Sequence, residues 1–269
     1  MSKITTLDEI AQIVKQLQNN RFLGVDFWEF YRGQGSDRFK LQPGIFRERR
    51  NEDSYEKEEL RLFNCFQKKA KKGKIVVQDT FSKDKFPHTQ TWFSLFQAQH
   101  LGLTTRLLDW TIKWEMAVLF AVENETLHNE DGQFWILRCP PDKLIKDDSP
   151  QILKGSPFQV NEFHTINYPF FYEEQNDHFT AEHRRARQWG RFSIQPLKDG
   201  MTPLEEQPTT RDYLEKLIID KNAKAAIKKE LNDQGFTLDW AYCRHEANIT
   251  ETIKNINKPS LLKRIFGIC

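Results

Sequence analysis

The chain has 269 residues, with 40 basic against 38 acidic side chains, 38% hydrophobic and 13% aromatic residues. That length and composition fit one large domain or two small ones with a substantial core, and they exclude a compositionally disordered chain. The net charge of +2 gives no overall attraction to nucleic acid, no run reaches the roughly 18–20 apolar residues of a spanning helix, and no signal-peptide core follows Met1, so a cytoplasmic protein is expected.

The first element is a predicted helix within residues 1–21. Thr6 and Glu9 have capping-box spacing, and Ile10, Ile13, Val14 and Leu17 follow at i, i+3, i+4, i+7. The aromatic run Val25–Tyr31 predicts a strand, with Gly33, Gly35, Ser36 and Asp37 as its turn. Residues 54–72 predict a helix with Tyr55, Leu62, Phe63, Phe66 and Ala70 on one face, and Glu56, Glu58 and Glu59 as solvated decoration. Arg47, Arg49 and Arg50 likewise suggest a solvated surface.

Residues 90–100 and 114–122 predict two apolar helices, the first ended by Gly102. Gln133–Arg138 suits a strand after the Asp131-Gly132 turn. The chain then reads as irregular from about 147 to 180, helical near 180–187, and alternating from Arg191 to Gln195. Tyr213–Ile219 predicts a strand, Asp220 a cap for the helix running to Gly235, and residues 239–257 a helical tail. Helices and strands mix without strict alternation, which favours an α+β domain over a doubly wound sheet. The expected organisation is an N-terminal helix (1–21), a main domain (22–245) and a C-terminal helical tail (246–269).

Familiar chemical motifs are missing from the sequence. It holds no Walker loop, no G-x-G-x-x-G, no G-x-S-x-G and no H-E-x-x-H. The four cysteines are widely spaced with no C-x-x-C, so neither a disulfide scaffold nor a metal site is expected.

Three segments stand out together: Phe30-Tyr31-Arg32-Gly33-Gln34 with Leu41-Gln42-Pro43; Gln99-His100-Leu101-Gly102-Leu103-Thr104-Thr105-Arg106-Leu107-Leu108-Asp109-Trp110-Thr111 running into Ala117, Phe120 and Ala121; and Arg187-Gln188-Trp189-Gly190-Arg191-Phe192. This set, in this order, resembles the FRG domain family, over roughly residues 22–245. The family pattern has Gly-Leu-Pro-Thr where this chain has Gly102-Leu103-Thr104-Thr105, and a small residue followed by Pro where it has Lys113-Trp114.

A weaker resemblance links the same segments to ADP-ribosyltransferase-like folds, which implies helices around a small mixed or split sheet. Tyr31-Arg32-Gly33 looks like the opening aromatic-Arg-Gly element, Asp109-Trp110-Thr111 like the middle Ser/Thr-bearing strand, and Gln188-Trp189-Gly190 falls where a catalytic Glu is expected. The resemblance implies a nucleotide site, with NAD as the candidate substrate and no firmly implied cofactor. Arg32 would present a planar fork to a diphosphate, Thr111 would brace the ribose, and Gln188, or Glu182 in a shifted register, or Glu115 or Glu123 from the middle helix, would take the place of the Glu. Tyr31, Gly33, Gln34, His100, Thr105, Arg106, Asp109 and Trp110 would line the cleft. ADP-ribosyl transfer to a macromolecular acceptor, or NAD hydrolysis, would suit a toxin or phage-defence effector. Other readings fit these residues: a non-catalytic nucleotide- or partner-binding module, or nucleic-acid contact through Arg184, Arg185, Arg187 and Arg191 with Trp189 and Phe192. Structural roles are the alternative: Arg32 bonded to backbone carbonyls or to Asp109 inside the core, Arg106 and Asp109 paired with each other or with Arg32, Trp110 in the core, and His100 hydrogen-bonded within a helix.

Overall fold

A computed structural model describes residues 3–21, 27–47, 52–72, 87–146, 149–167, 190–241, 253–254 and 256–257. The helix near 180–187, and Glu182, Gln188 and the cations at 184, 185 and 187, lie outside the described residues.

The first helix, α1 (Leu7–Arg21), starts as its sequence predicts. The Glu9 amide donates to the Thr6 hydroxyl at 3.3 Å, and the Glu9 carboxylate accepts from the amides of Thr5 (2.7 Å) and Thr6 (3.2 Å). Those backbone donors, Thr5 first, hold the Glu9 carboxyl below its ordinary pKa. Ile10 and Val14 are buried, as their helical spacing requires.

Seven strands form one sheet: β1 (Trp28–Gln34), β2 (Leu107–Thr111), β3 (Gly132–Cys139), β4 (Leu144–Ile145), β5 (His164–Ile166), β6 (Gly190–Ile194) and β7 (Leu214–Ile219). Their order is β4-β5-β6-β2-β1-β3-β7, and every pairing is antiparallel except β4–β5. The protein is therefore α+β. Helices among the described residues include α2 (Glu52–Lys71), α3 (Pro87–His100), α4 (Trp114–Val122), α5 (Pro150–Leu153), α6 (Lys224–Asp233) and α7 (Leu238–Ala241). Among the described residues no helix is long and apolar enough to cross a membrane.

Strand alternation divides the core. On one face Tyr31, Phe134, Ile136 and Ile219 pack against α1, α4 and α6, and Leu107, Ile166, Phe192 and Ile194 pack against α2, α3 and α5. On the other face Phe30, Leu108, Trp110, Trp135 and Leu137 pack against Leu41, Phe163 and Leu204 from the loops. Two helix ends use glycine in the left-handed region. Gly102 (φ 93°) closes α3, with the Leu103 amide on the Ala98 carbonyl and the Gly102 amide on the Gln99 carbonyl. Gly235 (φ 92°) closes the α6 end with the same pair of bonds.

Several expectations are corrected. Gly33, read as a turn residue, lies inside β1. Asp220 does not cap α6: its carboxylate accepts from the Asn222 amide in an Asx turn, and the N-cap position belongs to Ala223. The stretch read as irregular contains α5 and β5. Glu58 and Glu59 are buried, not solvated. Cys65, on α2, is disulfide-bonded, although the cysteine spacing predicts no disulfide scaffold, and its partner lies outside the described residues. Within the predicted tail, Ile253 and Ile256 pack on Leu62, Phe66 and Leu103. Asn257 clamps the turn after α3, accepting from the Thr104 amide (3.0 Å) and donating to the Gly102 carbonyl (2.7 Å).

His164 gives a pH prediction. It is buried beside Glu162, with Nε2 3.5 Å from Oε1, and burial lowers its pKa against the pull of that carboxylate; Lys143 and Asp142 also act on it. Below the ordinary value of about 6.5 the unfolded chain takes up a proton that the native chain resists, so this group's effect is a loss of stability as pH falls. His164→Gln is expected to flatten the fall of the urea midpoint between pH 7 and pH 5; an unchanged slope would assign that fall to other groups.

Candidate functional site

The site is built at the junction of β1 and β2. These strands are joined at one residue pair, Tyr31–Thr111, so the sheet is nearly split there. Helix α4 lies so close behind β1 that a Cβ on Gly33 would be 1.7 Å from the Ala117 carbonyl oxygen. Gly33 and Tyr31 therefore face the helices, and alternation turns Arg32 to the opposite face.

Arg32 is half-buried. Its Nη1 donates to the backbone carbonyl of Asp109 at 2.7 Å, and its Nε is sealed from water with no hydrogen-bond partner among the described residues. Burial lowers its pKa; the charge of Asp109 opposes that shift and the charge of Arg47 adds to it. No carboxylate forms an ion pair with Arg32 among the described residues. The guanidinium is held at one end by a neutral acceptor and has donor capacity left over, a costly state for a group so poorly hydrated.

Behind Arg32, a hydrogen-bond chain stiffens the second motif. The Leu107 amide donates to the Thr105 hydroxyl (3.0 Å), which donates to Gln99 Oε1 (2.6 Å), and Gln99 Nε2 donates to Asp109 Oδ2 (3.0 Å). Asp109 is exposed, on the helix-bearing face of β2. Thus Arg32 touches the Asp109 backbone, while the Asp109 carboxylate is held by Gln99.

The other candidate residues have varied placements. Tyr31 is buried and its ring stacks on Phe134 at 5.7 Å. Gln34 is buried and donates to the Lys40 carbonyl at 3.3 Å. The Trp110 indole N–H donates to the Ser193 hydroxyl at 2.9 Å, and its ring belongs to the core. Thr111 is buried and its hydroxyl accepts from the Lys113 amide at 3.0 Å. His100 is half-buried at the last position of α3.

Arg106 does not pair with Asp109 or Arg32. It is 1% exposed and forms a two-pronged pair with Glu59, with Nε at 2.8 Å and Nη2 at 2.6 Å from Oε2. It also donates to the carbonyls of Phe158 (3.2 Å) and Val160 (3.4 Å). The pair ties α2 to the start of β2, a structural role that helical charge spacing could not reveal. Glu182 and Gln188 lie outside the described residues. No group of three or more His, Cys, Asp or Glu suited to a metal occurs among the described residues.

Comparison with known proteins yields one family. The model described as "FRG domain" matches residues 29–130, which contain both the 30–34 and the 99–111 motifs. No curated protein and no solved structure matches the chain.

Proposed function

We propose, for a chain that is an FRG domain protein through residues 29–130, that the β1–β2 junction binds a phosphate-bearing nucleotide, with NAD as the leading candidate. One observation carries this reading: Arg32 is half-buried, and among the described residues it bonds only the Asp109 carbonyl and its sealed Nε has no partner. A phosphate oxygen would meet that unsatisfied donor and supply the missing counter-charge. The planar fork explains why arginine is better suited here than lysine.

Catalysis is the finer part of the proposal. ADP-ribosyl transfer would break the glycosidic bond between the ribose anomeric carbon and nicotinamide, releasing neutral nicotinamide. An acceptor nucleophile, or water in hydrolysis, would form the new bond at that carbon and lose its proton. A carboxylate at the ribose hydroxyls favours the cationic transition state, and Glu182 is the residue we assign to it. A binding module without turnover is favoured by a different observation: the hydroxyls of Thr105 and Thr111 and the indole N–H of Trp110 are all engaged inside the protein.

Calorimetric titration with NAD, ADP-ribose and adenosine, alongside an assay for nicotinamide release, tests the proposal. We expect saturable binding of NAD and ADP-ribose, with adenosine much weaker. Arg32→Lys and Arg32→Gln should each weaken NAD at least about tenfold, as loss of a charge-assisted bond predicts, with thermal unfolding near that of the parent. Nicotinamide release that vanishes in Glu182→Gln distinguishes enzyme from module. No NAD or ADP-ribose binding by the parent, or unchanged affinity in a folded Arg32 variant, would overturn the reading.

A further inference from the structure

The register of the sheet places cations and tryptophans in one lateral row. Lys216 is opposite Trp135, Trp135 is opposite Arg32, and Trp110 is opposite Arg191. One position beyond the single Tyr31–Thr111 pair, β1 carries Arg32 and β2 carries Trp110, and the Arg32 guanidinium reaches the Asp109 carbonyl. Directly opposed residues of antiparallel strands share a face, so Lys216, Trp135, Arg32, Trp110 and Arg191 run in order across β7, β3, β1, β2 and β6. Asn167 continues the row, accepting from Arg191 Nε at 2.8 Å.

The tryptophans are only 4% (Trp135) and 3% (Trp110) exposed, whereas the three cations are half-buried. The row therefore offers charge, not open rings for base stacking. The partners of its cations are neutral: Arg191 also donates to the Gly190 carbonyl at 2.9 Å, and Lys216 Nζ lies 5.3 Å from the centre of the Trp135 ring. Arg47, close enough to Arg32 to act on it electrostatically, donates to the Gln42 carbonyl at 3.3 Å. Several other cations are neutralised by carboxylates, Arg106 with Glu59, Arg61 with Glu58, Lys40 with Glu206 and Lys143 with Glu162, whereas the buried Lys224 bonds the carbonyls of Gly35 and Leu127. Along this row no cation has a carboxylate ion-pair partner among the described residues. Burial pushes the Arg191 guanidinium down to about 10.

We propose that Arg191 forms a second anion subsite beside Arg32, so that the site takes a nucleotide carrying a further phosphate besides its diphosphate. This deepens, and rests on, the assignment of Arg32 to a phosphate. Arg32 and Arg191 are two strands apart, about 10 Å at ordinary inter-strand spacing. One diphosphate cannot engage both guanidinium groups across Trp110, but a dinucleotide with an additional ribose phosphate can. Lys216 is equally far on the other side, but it is a point charge placed over an aromatic ring, which makes Arg191 the fork-bearing partner.

NADP and NAD are the probes, titrated into the full chain. We expect NADP to bind at least about tenfold tighter than NAD. Arg191→Gln should remove that preference and leave NAD affinity within about threefold of the parent, and Lys216→Gln should keep the preference. Arg191→Lys, which retains charge without the fork, should retain part of it and covers the case in which the glutamine variant folds poorly. Equal affinities for NADP and NAD in the parent would overturn the second subsite while leaving Arg32-dependent NAD binding intact. Preference for a single-stranded oligonucleotide over NADP, or a preference abolished by Lys216→Gln alone, would overturn it too. Loss of all nucleotide binding on Arg32→Gln, with NADP preferred by the parent, supports both proposals.

Discussion

Gly33→Ala is expected to destabilise the protein by more than about 3 kcal/mol, at or beyond the upper range for overpacking, and to prevent stable folding if the total stability is ordinary. The added Cβ would lie 1.7 Å from the Ala117 carbonyl oxygen and 2.8 Å from the Ala121 amide nitrogen. Both are backbone atoms of α4, so no side-chain rotation relieves the clash. The helix would have to move, and Met116, Ala117, Val118, Leu119, Ala121 and Val122 are all buried in its present position. Gly190→Ala is the matched control, because a Cβ there meets nothing within 4 Å among the described residues. Urea denaturation of both variants checks the contrast; equal midpoints would show that α4 is free to retreat. The result bears on the site as well. The motif glycine allows the helix to press on β1 and so fixes the strand from which Arg32 projects.

The second large effect is expected at Glu59. Glu59→Gln leaves the Arg106 guanidinium buried without its counter-charge, and the expected loss is about 3–5 kcal/mol, as for breaking one side of a buried ion pair. Arg106→Ala should cost a similar amount, because it strands the Glu59 carboxylate, itself 2% exposed. The double replacement Glu59→Leu with Arg106→Met should recover much of the loss, since neither charge then remains buried alone. Denaturant midpoints of the two single variants and the double variant form the required cycle. Single variants that keep parental stability but lose nucleotide affinity would instead move Arg106 from scaffold to ligand site.

These residues also show why the candidate cleft was only partly legible. The sequence marked Arg32, Gln99, Thr105, Asp109 and Trp110 as a group, and the fold brings the Arg32 guanidinium to the Asp109 carbonyl. It did not show that Arg32 and the Asp109 carboxylate leave opposite faces of the sheet. That follows from one-residue alternation combined with the closeness of α4, which only Gly33 permits. Glu59 was read as solvated because helical spacing describes a helix's own surface and not what later packs on it. Its partner is 47 residues away in sequence, and neither residue carries a local sign of the other. The cation–tryptophan row was hidden for the same reason. Its members come from five strands, and register alone aligns them.

The sequence by itself determined the features whose causes lie within one turn or one strand. The Thr6–Glu9 box opens α1, Gly102 closes α3 through its left-handed backbone, and alternation makes β6 a strand; each depends on residues at most five positions apart. Tertiary structure decided which cations acquire a counter-charge and which do not. Burial and pairing depend on chain segments tens of residues apart meeting at a fixed distance, so Arg106 became scaffold on meeting Glu59, while Arg32 and Arg191 have only neutral acceptors among the described residues.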